Sequence, residues 1–513
     1  MGIASKLDTV AGRFYKNVNR VPDKEAIWCD GEKMTYRQLG DFVSRYANYL
    51  VSHGVKRGDI IGIPMNNSIE SVALIMAAAS IGAGLAPINP TISVDQVDTA
   101  FRSGKAKHLI ARSAFYRQIA GRSMEYLNGL KLCLDKKIDG ADSMEDVKSQ
   151  STVRPSLEEI DGSETLILTM TSGSTGDPKP IELTQNNKLK RADAHVRLYS
   201  ITENDRILAA TPLYHSLAER LVILPLLIGA TSILLPRFTP QIWMNCVEQQ
   251  KVTFTIVVSA QLSQMVQLMS SPFAPDLSTM RSIVSSSALL ESHVRAELID
   301  KLRCDFNEMY GTSECSTITS INFHEAAHKT NSVGKPLPEA KIRILKDNDT
   351  ETEIGEIGEI ACKTELIFNG YYGMPEMTEK TFTKEGYFKT GDLGRVDEDG
   401  YLYFCGRKKE IIITGGINVY PKDVESAVLT LPEVKECAAF PYLDERLGEI
   451  VALAVVCKDG QQLTKRAVQF CCAKKLADFQ QPHKVFFLKE LPKNAMGKLT
   501  KNKLPEAVAG MQG

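Results

Sequence analysis

From about residue 165 the chain alternates short apolar runs rich in β-formers with longer stretches at helical spacing. The apolar runs lie at 165–169, 206–210, 231–235, 252–259 and 281–285, and the helical stretches at 217–227, 241–250, 261–269 and 290–302. Strands that alternate with helices in this way predict a mainly parallel α/β sheet. In such sheets ligands bind beyond the carboxyl ends of strands. The first 150 residues have a similar texture, with an amphipathic helix expected at 35–51 and a short strand at 59–64. Near residue 400 the texture changes to short strands rich in Gly, Tyr and Lys. One helix at 422–431 then follows Pro421, a residue suited to a first helical turn, and strand-like runs follow at 436–441 and 450–457. The expected architecture is α/β. A large N-terminal domain, 1–406, carries mainly parallel layered sheets with helices, and a small α+β domain occupies 407–513.

At 513 residues the chain can bury a large core. A formal charge of −1 gives no global reason to expect nucleic acid as a partner. The 11 cysteines are scattered, with no C-x-x-C pair, which argues against a zinc cluster or a disulfide framework and points to a reduced, cytoplasmic setting. The first residues lack an apolar signal core, and Lys6 breaks the myristoylation pattern. The apolar runs at 71–88 and 221–235 are interrupted by Gly82, Gly84, Pro87, Pro225 and Gly229. They read as buried helix–turn–strand units, so no transmembrane segment is expected.

The segment Thr171-Ser172-Gly173-Ser174-Thr175-Gly176-Asp177-Pro178-Lys179 follows one of the apolar strands. Its glycines let backbone approach an anion, and its hydroxyls and N–H groups suit phosphate oxygens. A P-loop would need Gly before the lysine, and Pro178 stands there instead.

This segment resembles the phosphate-binding signature of the adenylate-forming superfamily of acyl-CoA synthetases, luciferases and adenylation domains. Four further segments resemble its other signatures, in its order. They are Tyr310-Gly311-Thr312-Ser313-Glu314, the run from Tyr387 to Asp392, Gly406-Arg407-Lys408-Lys409-Glu410 continuing to Gly415-Gly416 and Pro421, and the run from Pro492 to Lys498. The likeness is greatest to AMP-forming acyl-CoA synthetases. It implies that a carboxylic acid and ATP give an acyl-AMP and pyrophosphate, and that the acyl group then passes to a thiol.

The same resemblance implies residue roles. Thr171, Ser172, Gly173, Ser174, Thr175, Gly176 and Lys179 would hold the ATP phosphates. Tyr310 and Gly311 would lie against adenine, and Thr312 would touch the α-phosphate. Glu314 and Thr175 would serve Mg²⁺, Asp392 the ribose hydroxyls, and Arg407 a ribose or phosphate oxygen. Lys498 would bridge the substrate carboxylate and the α-phosphate. His215, Ser286, Ser287 and Ala288 would line or gate the acyl site. Lys409 would be the hinge of a mobile C-terminal domain whose Gly415 and Gly416 line the thiol channel.

Three positions depart from the pattern: Pro180 after the lysine, Ser286-Ser287 in place of common glycines, and Lys363-Thr364-Glu365 in place of an Arg-Gly turn. After His215 the chain is apolar apart from Glu219 and Arg220, which favours an acid with a fatty or aryl body. No carrier domain follows Lys498, so the expected acceptor is coenzyme A or the phosphopantetheine of a separate carrier protein. The alternative is a stand-alone enzyme loading an acyl or amino acid onto such a carrier. A homodimer is left open.

Overall fold

The computed structural model describes residues 8–172, 178–290, 292–329, 331–414, 417–444, 448–493 and 499–511. The chain forms two compact units. One comprises Met1–Thr330, Leu337–Ala340 and Lys363–Phe382, and the other Asn331–Pro336, Lys341–Cys362 and Thr383–Gly513.

In the first unit the expected strands join others, which the sequence reading did not place, in two sheets. One runs Asp142–Ser143, Lys131–Cys133, Ala106–Ala111, Ile60–Pro64, Gly84–Ile88, Thr165–Ser172 and Pro178–Thr184. Its pairings are parallel except the last, which is antiparallel. In the other, Asp305–Thr312, Ser282–Ser286, Phe254–Val258, Arg206–Ala209, Thr231–Leu234 and Glu25–Cys29 run parallel. The strands Ser316–Asn322 and Glu32–Thr35 are antiparallel at either side.

The helix Ile69–Ile81 is apolar on every face, a pattern a membrane span would share. It instead touches the strand Glu25–Cys29 of one sheet and the strands Gly84–Ile88 and Thr165–Ser172 of the other. A helix sandwiched between sheets has no solvent face to keep polar. Gly82 ends it in the left-handed conformation at φ 70°, which a side chain adopts at a cost. No helix among the described residues is long and apolar enough to cross a membrane.

The second unit holds nearly all of a four-stranded sheet, Ala340–Leu345, Gly358–Thr364, Phe388–Val396 and Leu402–Arg407. It also holds a three-stranded sheet of Val434–Asp444, Gly448–Cys457 and Lys484–Phe487. Along Gly448–Cys457 the side chains alternate between faces. Val451, Leu453 and Val455 pack with Val424, Val428, Val468 and Cys472 from the helices Pro421–Val428 and Lys465–Lys475. Ala452, Ala454 and Val456 pack with Phe440, Phe486 and Leu504 on the other face.

Candidate active site

The hairpin of Thr165–Ser172 and Pro178–Thr184 pairs Thr171 with Lys179 and Ser172 with Pro178. The segment with Gly173, Ser174, Thr175 and Gly176 lies outside the described residues. It leaves the carboxyl end of one strand, the place expected of an anion loop. The returning strand continues into backbone contacts with 369–372: Glu182 donates to the Gly370 carbonyl at 2.9 Å and Tyr372 to the Pro180 carbonyl at 2.8 Å. The proline that departs from the family pattern therefore still offers its carbonyl to this pairing.

This pairing places Tyr371 beside the loop lysine. Lys179 Nζ lies 5.7 Å from the Tyr371 ring centroid, within cation–π range. The Tyr371 hydroxyl donates to Glu314 Oε1 at 3.0 Å. Burial and the Glu314 carboxylate push the Tyr371 phenol above its ordinary range, so it stays protonated and a donor.

Glu314 follows the strand Asp305–Thr312, whose register shifts between Tyr310 and Gly311. At Gly311 a Cβ would lie 1.8 Å from the Ser316 carbonyl oxygen, so the close return of Ser316–Asn322 admits only glycine. Tyr310 is buried. Thr312 Oγ1 accepts from the Cys315 amide at 3.1 Å and closes the turn. The turn is clamped from the helix Gln185–Leu198. Arg191 donates to the carbonyls of Leu366 at 2.9 Å, Ser313 at 3.1 Å and Glu314 at 2.7 Å.

The same helix carries Lys188, whose ammonium donates to Glu219 Oε2 at 2.6 Å with both residues buried. Glu219 belongs to the helix Ser216–Ile228. Its neighbour Arg220 has Nη1 3.2 Å from His195 Nε2 and 3.4 Å from Thr317 Oγ1. Burial lowers Arg191 to about 9 and Arg220 to about 10, so both remain cationic at neutral pH. Burial and these two arginines hold His195 well below its usual value and neutral. Tyr371, Lys188, Arg191 and His195 were not among the sequence candidates. A signal existed for three of them: Lys188, Arg191 and His195 recur at helical spacing on a face that also carries Leu189 and Ala192.

His215 precedes the helix Ser216–Ile228 at its N-cap position and makes no side-chain cap bond. Its ring lies 4.6 Å from that of Tyr214, and burial lowers its imidazole to about 4. Ser286 ends the strand Ser282–Ser286 and is buried, while Ser287 is exposed at φ 75°, a conformation glycine would hold without strain. The Ser259 hydroxyl donates to the carbonyls of Ser286 and Ala288 and pins this turn.

In the second unit Asp392 is buried and faces Arg407 across the register of Phe388–Val396 and Leu402–Arg407. Arg407 Nε lies 2.9 Å from Asp392 Oδ1. Lys409 is exposed in the turn Lys408–Glu410, whereas Lys408 pairs with Asp347 and Glu359, each at 2.9 Å. Gly415 and Gly416 lie outside the described residues, between the paired strands Ile412–Thr414 and Ile417–Val419. Lys498 also lies outside them. The chain on either side is tied down: Thr500 donates to the Pro492 carbonyl at 2.8 Å, Lys493 pairs with Glu436 at 2.6 Å and Lys501 with Glu425 at 2.6 Å.

Residues 14–372 match the family described as AMP-binding enzyme, and residues 423–498 its C-terminal domain. The chain is 30% identical to an indoleacetate–CoA ligase of Aromatoleum aromaticum, over 95% of this chain and 96% of that one. It is also 30% identical to the long-chain-fatty-acid–CoA ligase FadD13 of Mycobacterium tuberculosis, over 92% of this chain and 93% of that one. Among solved structures it is similar to ATP-bound MatB from Rhodopseudomonas palustris, with a TM-score of 0.88 at 27% identity, covering 98% of this chain and 99% of that one.

Proposed function

The chain belongs to the AMP-binding enzyme family and is an acid–thiol ligase, and from that premise we propose that it is an AMP-forming acyl-CoA synthetase acting on a carboxylic acid with a fatty or aryl body. The observation that carries the reading is the run Lys179–Tyr371–Glu314, which sets a cation and a carboxylate on either side of one tyrosine beside the hydroxyl- and glycine-rich hairpin.

A carboxylate cannot expel oxide, so it must first gain a leaving group. One of its oxygens attacks the α-phosphorus of ATP, the bond to the bridging oxygen breaks, and pyrophosphate departs. Because one anion attacks another, the barrier is largely electrostatic, and fixed cations and donors lower it. Lys179 and the hydroxyls of the hairpin hold the β- and γ-phosphates. Thr312 meets the α-phosphate, Tyr310 covers adenine, and Asp392 with Arg407 takes the ribose. Glu314 suits a hard cation such as Mg²⁺: among the described residues Tyr371 is its carboxylate's one protein donor, which leaves oxygen for a metal that would offset phosphate charge. Lys498 supplies the charge between the two reacting anions. In the second half-reaction the C-terminal residues turn about Lys409, and the thiol of coenzyme A adds to the acyl carbon past Gly415 and Gly416, releasing AMP.

A panel of carboxylic acids assayed for ATP-dependent hydroxamate, then for thioester with coenzyme A, tests the proposal. Both products are expected from at least one acid. Hydroxamate with thioester formed only on a phosphopantetheinylated carrier protein would move the reading to the carrier-loading alternative. ATP left uncleaved with every acid would remove it.

A further inference from the structure

The Glu314 turn is held by its backbone as well as by its carboxylate. The Glu314 carbonyl accepts from Arg191 Nη2 at 2.7 Å and from the Phe368 amide at 2.7 Å, so both of its lone pairs are used. Arg191 Nη1 donates to the preceding carbonyl, that of Ser313, at 3.1 Å, and Nε to that of Leu366 at 2.9 Å. One guanidinium therefore bridges two segments of chain. The first carries Thr312 and Glu314, and the second carries Tyr371, whose phenol donates to the Glu314 carboxylate. Asn187, four residues earlier on the same helix face, donates from Nδ2 to the Ile367 carbonyl at 2.8 Å and holds the second segment alone. The helix Gln185–Leu198 directly follows the strand Pro178–Thr184, which carries Lys179.

Arg191 is 3% exposed, and among the described residues no carboxylate forms an ion pair with it. Lys188, one turn earlier, is matched by Glu219 at 2.6 Å, whereas the partners of Arg191 are all backbone. Burying a guanidinium is costly, and apolar packing in such a place is often no less stable. Stability alone therefore gives little reason for this residue. What an apolar side chain cannot do is hold two successive carbonyls. The Cα of Glu314 lies between the Ser313 and Glu314 carbonyls, so pinning both to one rigid planar fork fixes the direction in which the Glu314 side chain leaves the backbone.

We propose that Arg191 is a positioning residue for acyl-AMP formation: by pinning the two carbonyls that flank the Glu314 Cα, it aims the Glu314 carboxylate at the divalent cation that accompanies ATP. The inference rests on the ligase reading and adds to it a residue that acts only through Glu314. Tyr371 sets the carboxylate from its oxygen end and Arg191 from its backbone end. Groups that orient a metal ligand in this way matter nearly as much as the ligand, and their loss costs about ten- to a hundredfold in metal affinity or activity.

The test reads the cation apart from turnover. ATP binding is measured by calorimetry with Mg²⁺ and again with EDTA, no acid being present, and the ratio of the two affinities gives what the cation adds. Arg191→Lys keeps the charge but offers one nitrogen in place of three. We expect wild type to bind ATP more tightly with Mg²⁺, and Arg191→Lys to lose about tenfold of that gain while its affinity in EDTA stays near that of wild type. Acyl-AMP formation should slow in parallel, and thioester formation from supplied acyl-AMP and coenzyme A should keep its rate. Asn187→Asp retains the acceptor that Thr184 uses and removes the bond to Ile367, and it should leave the ratio unchanged. Arg191→Lys combined with Tyr371→Phe should lose less than the product of the single losses, because both act through one carboxylate. A ratio in Arg191→Lys equal to that of wild type overturns the proposal. So does an equal loss in Asn187→Asp, which would assign the effect to a loosened 366–371 segment and not to the Glu314 turn. If no acid of any kind releases pyrophosphate, the ligase reading falls, and the affinity ratio still decides whether Arg191 positions Glu314. Should Arg191→Lys fail to fold, Arg191→Gln, neutral and with one donor nitrogen, reads the same ratio.

Discussion

The phenol of Tyr371 donates to Glu314 Oε1 at 3.0 Å while its ring faces Lys179. One side chain therefore orients the proposed metal carboxylate and braces the phosphate lysine. Removing the hydroxyl leaves ring and packing in place and frees Glu314 to rotate. A hydrogen bond to a charged group is worth about 1.5–3 kcal/mol. Tyr371→Phe should slow adenylation roughly tenfold or more and raise the Mg²⁺ concentration needed for half-maximal rate, with little change in Tm. An unaltered Mg²⁺ dependence would show that Tyr371 plays no part in orienting Glu314.

Asp392 is buried and lies against Arg407. That pair alone could be structural, so the test must read the sugar. If the carboxylate takes the ribose hydroxyls, wild-type enzyme should favour ATP over 2′-deoxy-ATP by roughly tenfold, the worth of one charge-assisted hydrogen bond. Asp392→Asn should lose most of that ratio as well as binding ATP more weakly. A variant that weakens both nucleotides while keeping their ratio would assign Asp392 to folding alone.

Much of this architecture was legible in the sequence because it depends on local periodicity. The strands and helices expected between 165 and 302 recur close to their positions, since a period of two or of 3.6 survives whatever the tertiary context, while the strand Pro178–Thr184 and the helix Gln185–Leu198 were not expected. Gly311 was legible as part of a motif, but the reason for it, a Cβ meeting the Ser316 carbonyl, exists only once two strands pair. The helical spacing of the charges on Gln185–Leu198 was there to be read, but their partners were not. Lys188 and Arg191 look like a solvated helix face in sequence, and their partners Glu219, Ser313 and Leu366 come from distant segments. Tyr371 was invisible for the same reason: its neighbours are set by strand pairing.

The buried pair of Lys188 and Glu219 should act on stability. Among the described residues Glu219 Oε1 has no hydrogen-bond partner, so the carboxylate is only half satisfied there. Taking one partner from a buried pair costs about 3–5 kcal/mol, because the other charge stays behind. Glu219→Gln should lower Tm by several degrees, and pairing Lys188→Met with Glu219→Leu should recover most of the loss. A double variant no more stable than the single one would mean that the pair contributes through packing and not through charge.

His215 makes stability depend on pH. Burial lowers its imidazole to about 4 in the folded chain, against about 6.5 when unfolded. As pH falls between these values the unfolded state takes up the proton first, so unfolding is favoured. The stability due to a neutral His215 is therefore complete above about 6.5 and is lost towards 4. His195 acts in the same direction. His215→Phe should flatten, without abolishing, the fall of Tm over that window. An identical slope in wild type and variant would place His215 in contact with water.

Lys498 is the last charge that the proposed chemistry requires, and the chain around it is held at both ends. Lys493 pairs with Glu436, Lys501 with Glu425, and Thr500 donates to the Pro492 carbonyl. Such anchoring reduces the entropy lost when a side chain is positioned for reaction. Two effects should then separate. Lys498→Ala removes a charge needed only while one anion attacks another. It should cut acyl-AMP formation by about a hundredfold or more yet still convert supplied acyl-AMP and coenzyme A to thioester. Glu436→Gln and Glu425→Gln keep the charge and loosen its mounting, so they should slow the first half-reaction by a smaller factor and spare the second. If Lys498→Ala slowed both halves equally, the lysine would be supporting the fold of its domain. If the two glutamine variants slowed the second half more than the first, the anchors would be serving the thiol and not the phosphate.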